Sequence, residues 1–169
     1  MATCSACGEK VRQVLLPEHE MDLGGVKVVL HDAVIEEVCD ACGERAVVVP
    51  DLNGLIVSAA VARLLEPVRL RGREVRFVRK ALGMNGRAFA KAMQIRPETL
   101  SRWEQGMQGV GGYAEQLLRH NACALLREQF PAVQYDPAAI AHMVEIGEDA
   151  DLVLHLHKQQ GWSAAKLAA

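Results

Sequence analysis

The chain has 169 residues, half of them hydrophobic and 24% charged, with a formal net charge of −2, which is enough apolar material for a real core and a length that suggests two small domains. No apolar run approaches membrane-spanning length, and the opening MATCSACGEK lacks the apolar stretch of a signal peptide, so a cytoplasmic protein with reduced thiols is expected and no membrane partner. The near-neutral total hides an uneven distribution: residues 68–104 carry ten Lys/Arg against three acidic residues (+7), while 1–67 stand at −6 and 105–169 at −3. A basic block between two acidic ones points to a polyanionic partner for the middle of the chain.

The first elements in chain order are two identical cysteine spacings, Cys4-Ser-Ala-Cys7-Gly and Cys39-Asp-Ala-Cys42-Gly. Each CxxCG places two thiolates on one tight turn, with the glycine permitting the turn and backbone N–H groups free to donate to sulfur. Two such knuckles closing on each other make a four-sulfur tetrahedral site suited to Zn²⁺, with Cys4, Cys7, Cys39 and Cys42 as ligands. All four positions are filled by protein, so the ion is structural. Disulfides or redox dithiols are the competing reading, disfavoured in a reducing compartment. Cys123, among Ala122, Ala124 and Leu125, reads as a small buried apolar residue.

Between the knuckles the pattern is that of strands, at 11–16, 26–30 and 33–38, rich in β-branched residues and separated by Pro17, by Gly24-Gly25 and by His31-Asp32. The expected unit is a small antiparallel sheet whose folding is coupled to metal binding. With four cysteines at hand, His19 and His31 are assigned surface or turn roles.

A helix is predicted after Asp51, a capping residue, with Leu55, Ile56, Ala59, Ala60, Leu64 and Leu65 on its apolar side, ending at Pro67. Residues 66–73, with Pro67 and Gly72, are the expected hinge. A second helix follows over 74–82, with Val75, Val78 and Leu82 inward and Arg76, Arg79 and Lys80 mostly outward, stopped by Gly83. Asn85 then caps a short helix carrying Phe89, Ala90 and Met93 on one face, and Pro97 starts another, with Leu100 and Trp103 inward and Gly106 as its stop. Two short helices around a tight connection at Ile95 form a helix-turn-helix pattern. Glu98, Thr99, Ser101 and Arg102 face outward on its second helix, able to reach base edges and phosphates, with Arg87 and Arg96 beside them. Trp103 reads as core and Arg79 with Glu104 as a structural ion pair.

Residues 113–127 form one more helical pattern, which either completes the core or makes a dimer seam. Asp136-Pro137 opens another through Ile140, Met143 and Val144, and Leu152, Leu154 and Leu156 follow Gly147-Glu148-Asp149. An extra helical segment is expected here. His142, His155 and His157 lack a paired carboxylate or cysteine at ligand spacing and are read as surface or packing residues.

These features give an α+β fold: a zinc-bound antiparallel β domain with a connecting helix (1–67), an all-α helix-turn-helix domain (68–130) and a C-terminal helical extension (131–169). The segment Leu100-Ser-Arg-Trp-Glu-Gln-Gly106 resembles the recognition-helix ending of Cro/repressor-type domains. Paired CxxC knuckles, a linking helix and this helix-turn-helix, in that order over about residues 1–130, resemble the MqsA (YgiT-type) antitoxin family. The resemblance implies a zinc-bearing domain that neutralises an mRNA-cleaving toxin, and a homodimeric C-terminal domain that binds a palindromic double-stranded DNA operator and represses its own operon. Arg102 matches that family's base-contacting arginine, whereas Glu98 stands where better-known members have asparagine, and Gly86 and Gln94 replace the repressor family's usual glutamine and turn glycine. A stand-alone zinc-finger regulator without a toxin is the alternative. A zinc enzyme is remote, because the sequence offers no open metal position, no Ser/His/Asp order and no phosphate-cradling loop.

Overall fold

The computed structural model describes residues 2–143, 152–159 and 161–164. The chain runs β1 (Arg12–Asp22), β2 (Lys27–Val38), β3 (Arg45–Val48), α1 (Leu52–Leu65), α2 (Gly72–Ala81), α3 (Gly86–Ala92), α4 (Pro97–Glu104), α5 (Gly112–Gln129), α6 (Pro137–Ala141), β4 (Val153–Lys158) and β5 (Trp162–Ala164). The α+β expectation holds at the level of a mixed fold with an antiparallel-rich N-terminal sheet followed by helices.

Strands β1 and β2 are each longer than the sequence pattern suggested, because the two breakers between them meet in one irregularity. Pro17 has no N–H to offer the ladder, and opposite it β2 supplies two residues, Asp32 and Ala33; pairing passes from Leu16↔Val34 to Glu18↔His31. Asp32 takes a left-handed φ of 48° to make this bulge. The strands therefore bend rather than stop. At the other end Asp22 accepts from the N–H groups of Gly24 and Gly25, at 2.8 and 2.6 Å, closing the turn.

The C-terminal part differs most from expectation. In place of a wholly helical extension, the described residues form one short helix, α6, capped by Asp136, and then the strand pair β4–β5. Strand β4 lies parallel to β2, with Lys27↔Val153 through His31↔His157 in register, and occupies the same edge of β2 that β3 occupies further along. Its alternation of buried Leu154 and Leu156 with outward His155 and His157 is the period-2 signal of a half-buried strand. Val144 and the 147–149 turn of the expected helical pattern lie outside the described residues.

Helix α1 is central. Asp51 caps it by accepting from Gly54 N–H at 3.1 Å, and nearly every residue from Leu55 to Leu64 is buried, as befits a helix covered on all sides. One side packs on β4 and β5, where Ser58 donates to the Trp162 carbonyl (2.9 Å) and the Trp162 indole donates to the carbonyls of Pro50 and Asp51. Another side packs on α2 and α5. A continuous apolar core results, running from Val28, Leu30 and Leu156 in the sheet through α1 to Phe89, Leu100, Trp103 and Leu126 in the helices.

The stretch read as a hinge is held by two buried guanidinium groups. Arg63 donates to the carbonyls of Val68 and Arg69 and to the Glu74 carboxylate at 2.8 Å. Arg119 donates to the carbonyls of Leu64, Glu66 and Val68 at 2.6 to 2.8 Å and to Glu115 at 2.6 Å. The backbone between α1 and α2 is irregular, so its carbonyls need partners that no helix or strand supplies, and the two arginines are those partners. Each guanidinium is balanced by a buried carboxylate, Glu74 or Glu115. Gly72 starts α2 at a close approach to α4: a Cβ there would lie 2.1 Å from the Trp103 carbonyl oxygen.

Candidate functional site

Two groups of residues carry chemistry, one at each end of this scaffold. At the sheet end the two knuckles repeat the same local structure. Cys4 N–H donates to Glu9 O and Gly8 N–H to Cys4 O, while Cys39 N–H donates to Glu44 O and Gly43 N–H to Cys39 O, all between 2.8 and 2.9 Å. Gly8 and Gly43 sit at φ 79° and 77°, the left-handed conformation that closes each turn. The hairpin β1–β2 brings the second knuckle to the first, and the short bridge Thr3↔Lys10 ties the first one down.

The four sulfurs of Cys4, Cys7, Cys39 and Cys42 all lie within 4.8 Å of one another, with Cys7–Cys39 at 3.5 Å and Cys4–Cys42 at 3.7 Å. For sulfurs about 2.3 Å from a tetrahedrally bound ion, the sulfur–sulfur edge is roughly 3.8 Å, so the cage already has the right size for a metal ion. Cys4 and Cys39 are buried while Cys7 and Cys42 face solvent. The backbone N–H groups of Cys42 and then Ala41 lower the Cys39 thiol to about 7, and this thiolate is the natural first ligand. The Glu9 N–H pulls Cys7 downward, but sharing protons with Cys39 and Cys42 and partial desolvation leave it pushed up to about 12. A cation that displaces those shared protons relieves the crowding of four thiols. All five cysteines are free thiols in this structure. Cys123 is fully buried in the helical core, its thiol pushed up to about 12 by burial, as expected of a packing residue.

At the helical end, α3 and α4 are joined by a turn at 93–96 and stand as two short consecutive helices. Asn85 caps α3 by accepting from Ala88 N–H at 2.9 Å, and Pro97 begins α4. Phe89, Ala90, Met93, Leu100 and Trp103 are buried as their spacing predicts. Gln94 takes a left-handed φ of 56°, so the turn between α3 and α4 is made by a residue that is strained there. Arg79 and Glu104 form the structural pair, bidentate at 2.6 and 3.0 Å, with Arg76 adding a longer contact at 3.4 Å. This pair braces α2 against α4, and the Glu104 carboxylate holds the Arg79 side chain further into its charged form.

Glu98, Ser101 and Arg102 are exposed on α4, with Arg96 exposed just before it and Arg87 exposed on α3; Thr99 is half-buried and offers only part of its side chain. Ser101 accepts a hydrogen bond from Gln105 at 2.8 Å. Glu98 lies in the first turn of α4, where a carboxylate faces the positive end of the helix dipole, a placement that gives it a structural reason to be there. A groove of about 500 Å³ between the start of α3 and α4, lined by Asn85, Gly86, Arg87, Pro97, Leu100, Ser101 and Glu104, separates the two helices on the exposed side.

Sequence reasoning did not find two features. Arg63 and Arg119 sit inside helical patterns where a charge reads as surface, and only the irregular linker they hold explains them. His31, His155 and His157, each read as unconnected, stand side by side once β4 pairs with β2; His142 is exposed on its own element's end. Among the described residues no helix is long and apolar enough to cross a membrane. No family model, no curated protein and no solved structure matches the chain. The resemblance to MqsA-type antitoxins therefore rests on the two sequence motifs and their order.

Proposed function

We propose that the chain is a cytoplasmic, DNA-binding transcriptional repressor, and that it is the antitoxin of a type II toxin–antitoxin pair that regulates its own operon. The observation that carries the reading is the surface of α4: Glu98, Ser101 and Arg102 stand outward on a helix whose other face is locked into the core by Leu100 and Trp103. A short helix fixed in this way, with Arg87 and Arg96 on the same exposed end and a local charge of +7 over residues 68–104, suits insertion into a major groove.

In this reading Arg102 reads a guanine edge through two N–H groups, Thr99 and Ser101 add shorter polar contacts, and Arg87 and Arg96 hold phosphates. Two copies pair about a two-fold axis and place their α4 helices about one helical turn, roughly 34 Å, apart on a pseudo-palindrome. Cys4, Cys7, Cys39 and Cys42 hold a structural Zn²⁺, which supplies folding free energy and no reaction. The surrounding residues 1–67, at −6 before the thiolates are counted, complement a basic ribonuclease-like toxin.

A second reading, a zinc-bearing regulator with no toxin, draws support from the continuous core that joins the sheet to the helices, because that core ties β2, the strand that leads into the second knuckle, to the helical end. A gel-shift titration with the chain's own upstream DNA, with and without the product of the neighbouring gene, separates the two. Binding that the neighbour's product alters supports the antitoxin, binding indifferent to it supports the regulator, and no binding to that DNA removes both.

A further inference from the structure

The parallel pairing of β4 with β2 creates a cluster that no stretch of sequence contains. His157 lies opposite His31, Glu18 of β1 lies opposite His31 on its other side, and His155 sits two residues before His157 and so on the same sheet face. The opposite face of these strands is the one buried in the core through Val28, Leu30, Leu154 and Leu156. The three imidazoles and the carboxylate thus share the outward face, where Glu20 and Asp22 continue the row of acids along β1.

The geometry within the cluster is specific. His31 Nε2 is 2.9 Å from His155 Nδ1, and His31 Nδ1 is 3.5 Å from Glu18 Oε1. The ring of His157 stacks on that of His31 at 4.6 Å and 14°, and the side chain of His31 is only 17% exposed. A carboxylate behind one ring nitrogen is the arrangement that orients a metal-binding histidine, since it keeps the proton on Nδ1 and turns the Nε2 lone pair outward. Here that lone pair meets the Nδ1 of His155. Two nitrogens on one tetrahedral ion at about 2.05 Å lie roughly 3.3 Å apart, so a shift of a few tenths of an ångström opens the pair to a cation. His157, half-buried and carried on the same strand as His155, is stacked on His31 with its nitrogens away from that pair, so it becomes a third ligand only when its ring turns out of the stack.

We propose that His31, His155 and His157, with Glu18 as the orienting carboxylate, form a second metal site for Zn²⁺ or a similar borderline divalent ion. It differs in kind from the four-cysteine cage: three nitrogen ligands leave a position for water, and the site opens on the surface, so its ion exchanges faster than the sulfur-bound one while still being held. Its ligands come from β2 and β4, so occupancy pins the C-terminal strand pair to the N-terminal sheet and stabilises that attachment by mass action.

The test uses the full chain loaded with Cd²⁺ in place of Zn²⁺, with metal counting and cadmium NMR. The expected result is two bound ions per chain and two resonances, one in the thiolate range and one far upfield in the nitrogen/oxygen range. His155→Ala and His157→Ala should each abolish the upfield resonance and leave the thiolate resonance unchanged, which also shows that the variant still folds. One ion per chain in the parent protein overturns the proposal, as does an upfield resonance that survives both substitutions. A measurement without variants gives the same decision: on adding Zn²⁺ beyond one equivalent, the ring nitrogens of the three histidines should shift together, and unmoved rings contradict the site.

Discussion

Replacing Arg119 by methionine keeps most of the side-chain volume and removes only the guanidinium, which makes it a clean perturbation of the segment between α1 and α2. The native group is 1% exposed and serves four acceptors: the carbonyls of Leu64, Glu66 and Val68 and the Glu115 carboxylate. In the variant Glu115, 2% exposed, keeps the Leu70 N–H at 3.0 Å but loses its buried cation. Removing one partner of a buried ion pair costs about 3–5 kcal/mol, and the stranded carbonyls belong to the same loss because water entering the gap restores part of their bonding. At roughly 2–4 °C per kcal/mol for a chain of this size, the Tm should fall by about 10 °C. Arg127→Met, on the exposed side of the same helix, is the control and should change stability by no more than about 0.5 kcal/mol. Charge and polarity can then be separated with Glu115→Gln: the double variant should be more stable than the sum of the single losses by about 0.5–3 kcal/mol. Thermal unfolding followed by circular dichroism reads the parent and all four variants. If Arg119→Met melts with the Arg127→Met control, the clamp does not hold the linker, and residues 66–73 are the hinge that their proline and glycine suggested.

Three further outcomes follow from local geometry. Gly72→Ala should destabilise by about 1–3 kcal/mol in denaturant unfolding, because the new methyl meets the Trp103 carbonyl oxygen at 2.1 Å, whereas Gly86→Ala, whose nearest neighbour is a Leu100 methyl at 4.0 Å, should be neutral or slightly stabilising; equal effects would refute the tight α2–α4 approach. Gln94→Gly should raise stability by about 1 kcal/mol by relieving the left-handed φ of 56°, and a loss of stability would show that the Gln94 side chain does more than tolerate the turn. Cys39→Ser should release the sulfur-bound metal and loosen the knuckle end while the helical signal persists, since Cys4 and Cys39 are buried apart from the continuous core; metal retained at the parent level would contradict the four-sulfur cage.

Local signals in the sequence carried most of the helices. Asp51, Asn85 and Asp136 each cap the helix that their position suggests, Pro97 opens α4, and Gly106 takes its left-handed conformation just past the helix end. The cysteine cage was equally legible, because ligand spacing is a covalent property that survives whatever fold surrounds it. What the sequence concealed depended on partners far along the chain. The run Val153 to Lys158 alternates as a strand does, with Leu154 and Leu156 two apart, yet six residues are too few to settle the element by themselves, and only the presence of a free β2 edge more than a hundred residues away decides it. Pro17 and Asp32 each look like a strand terminator; paired across the sheet they make a bulge that lets both strands continue. Buried arginines escaped for a related reason. Arg63 and Arg119 are surface residues by composition and become interior ones because an irregular linker exposes carbonyls that nothing else can satisfy.

Equilibrium binding of the full chain to a duplex from its own upstream region, followed by fluorescence anisotropy over a range of salt, tests the proposed DNA-reading role of α4 most directly. The log K should fall linearly with log salt at about 0.9 per phosphate contact, and Arg102→Ala should lose about 1–3 kcal/mol on that duplex and less on a scrambled one. Affinity insensitive to salt, or an Arg102→Ala loss of equal size on both duplexes, would contradict it.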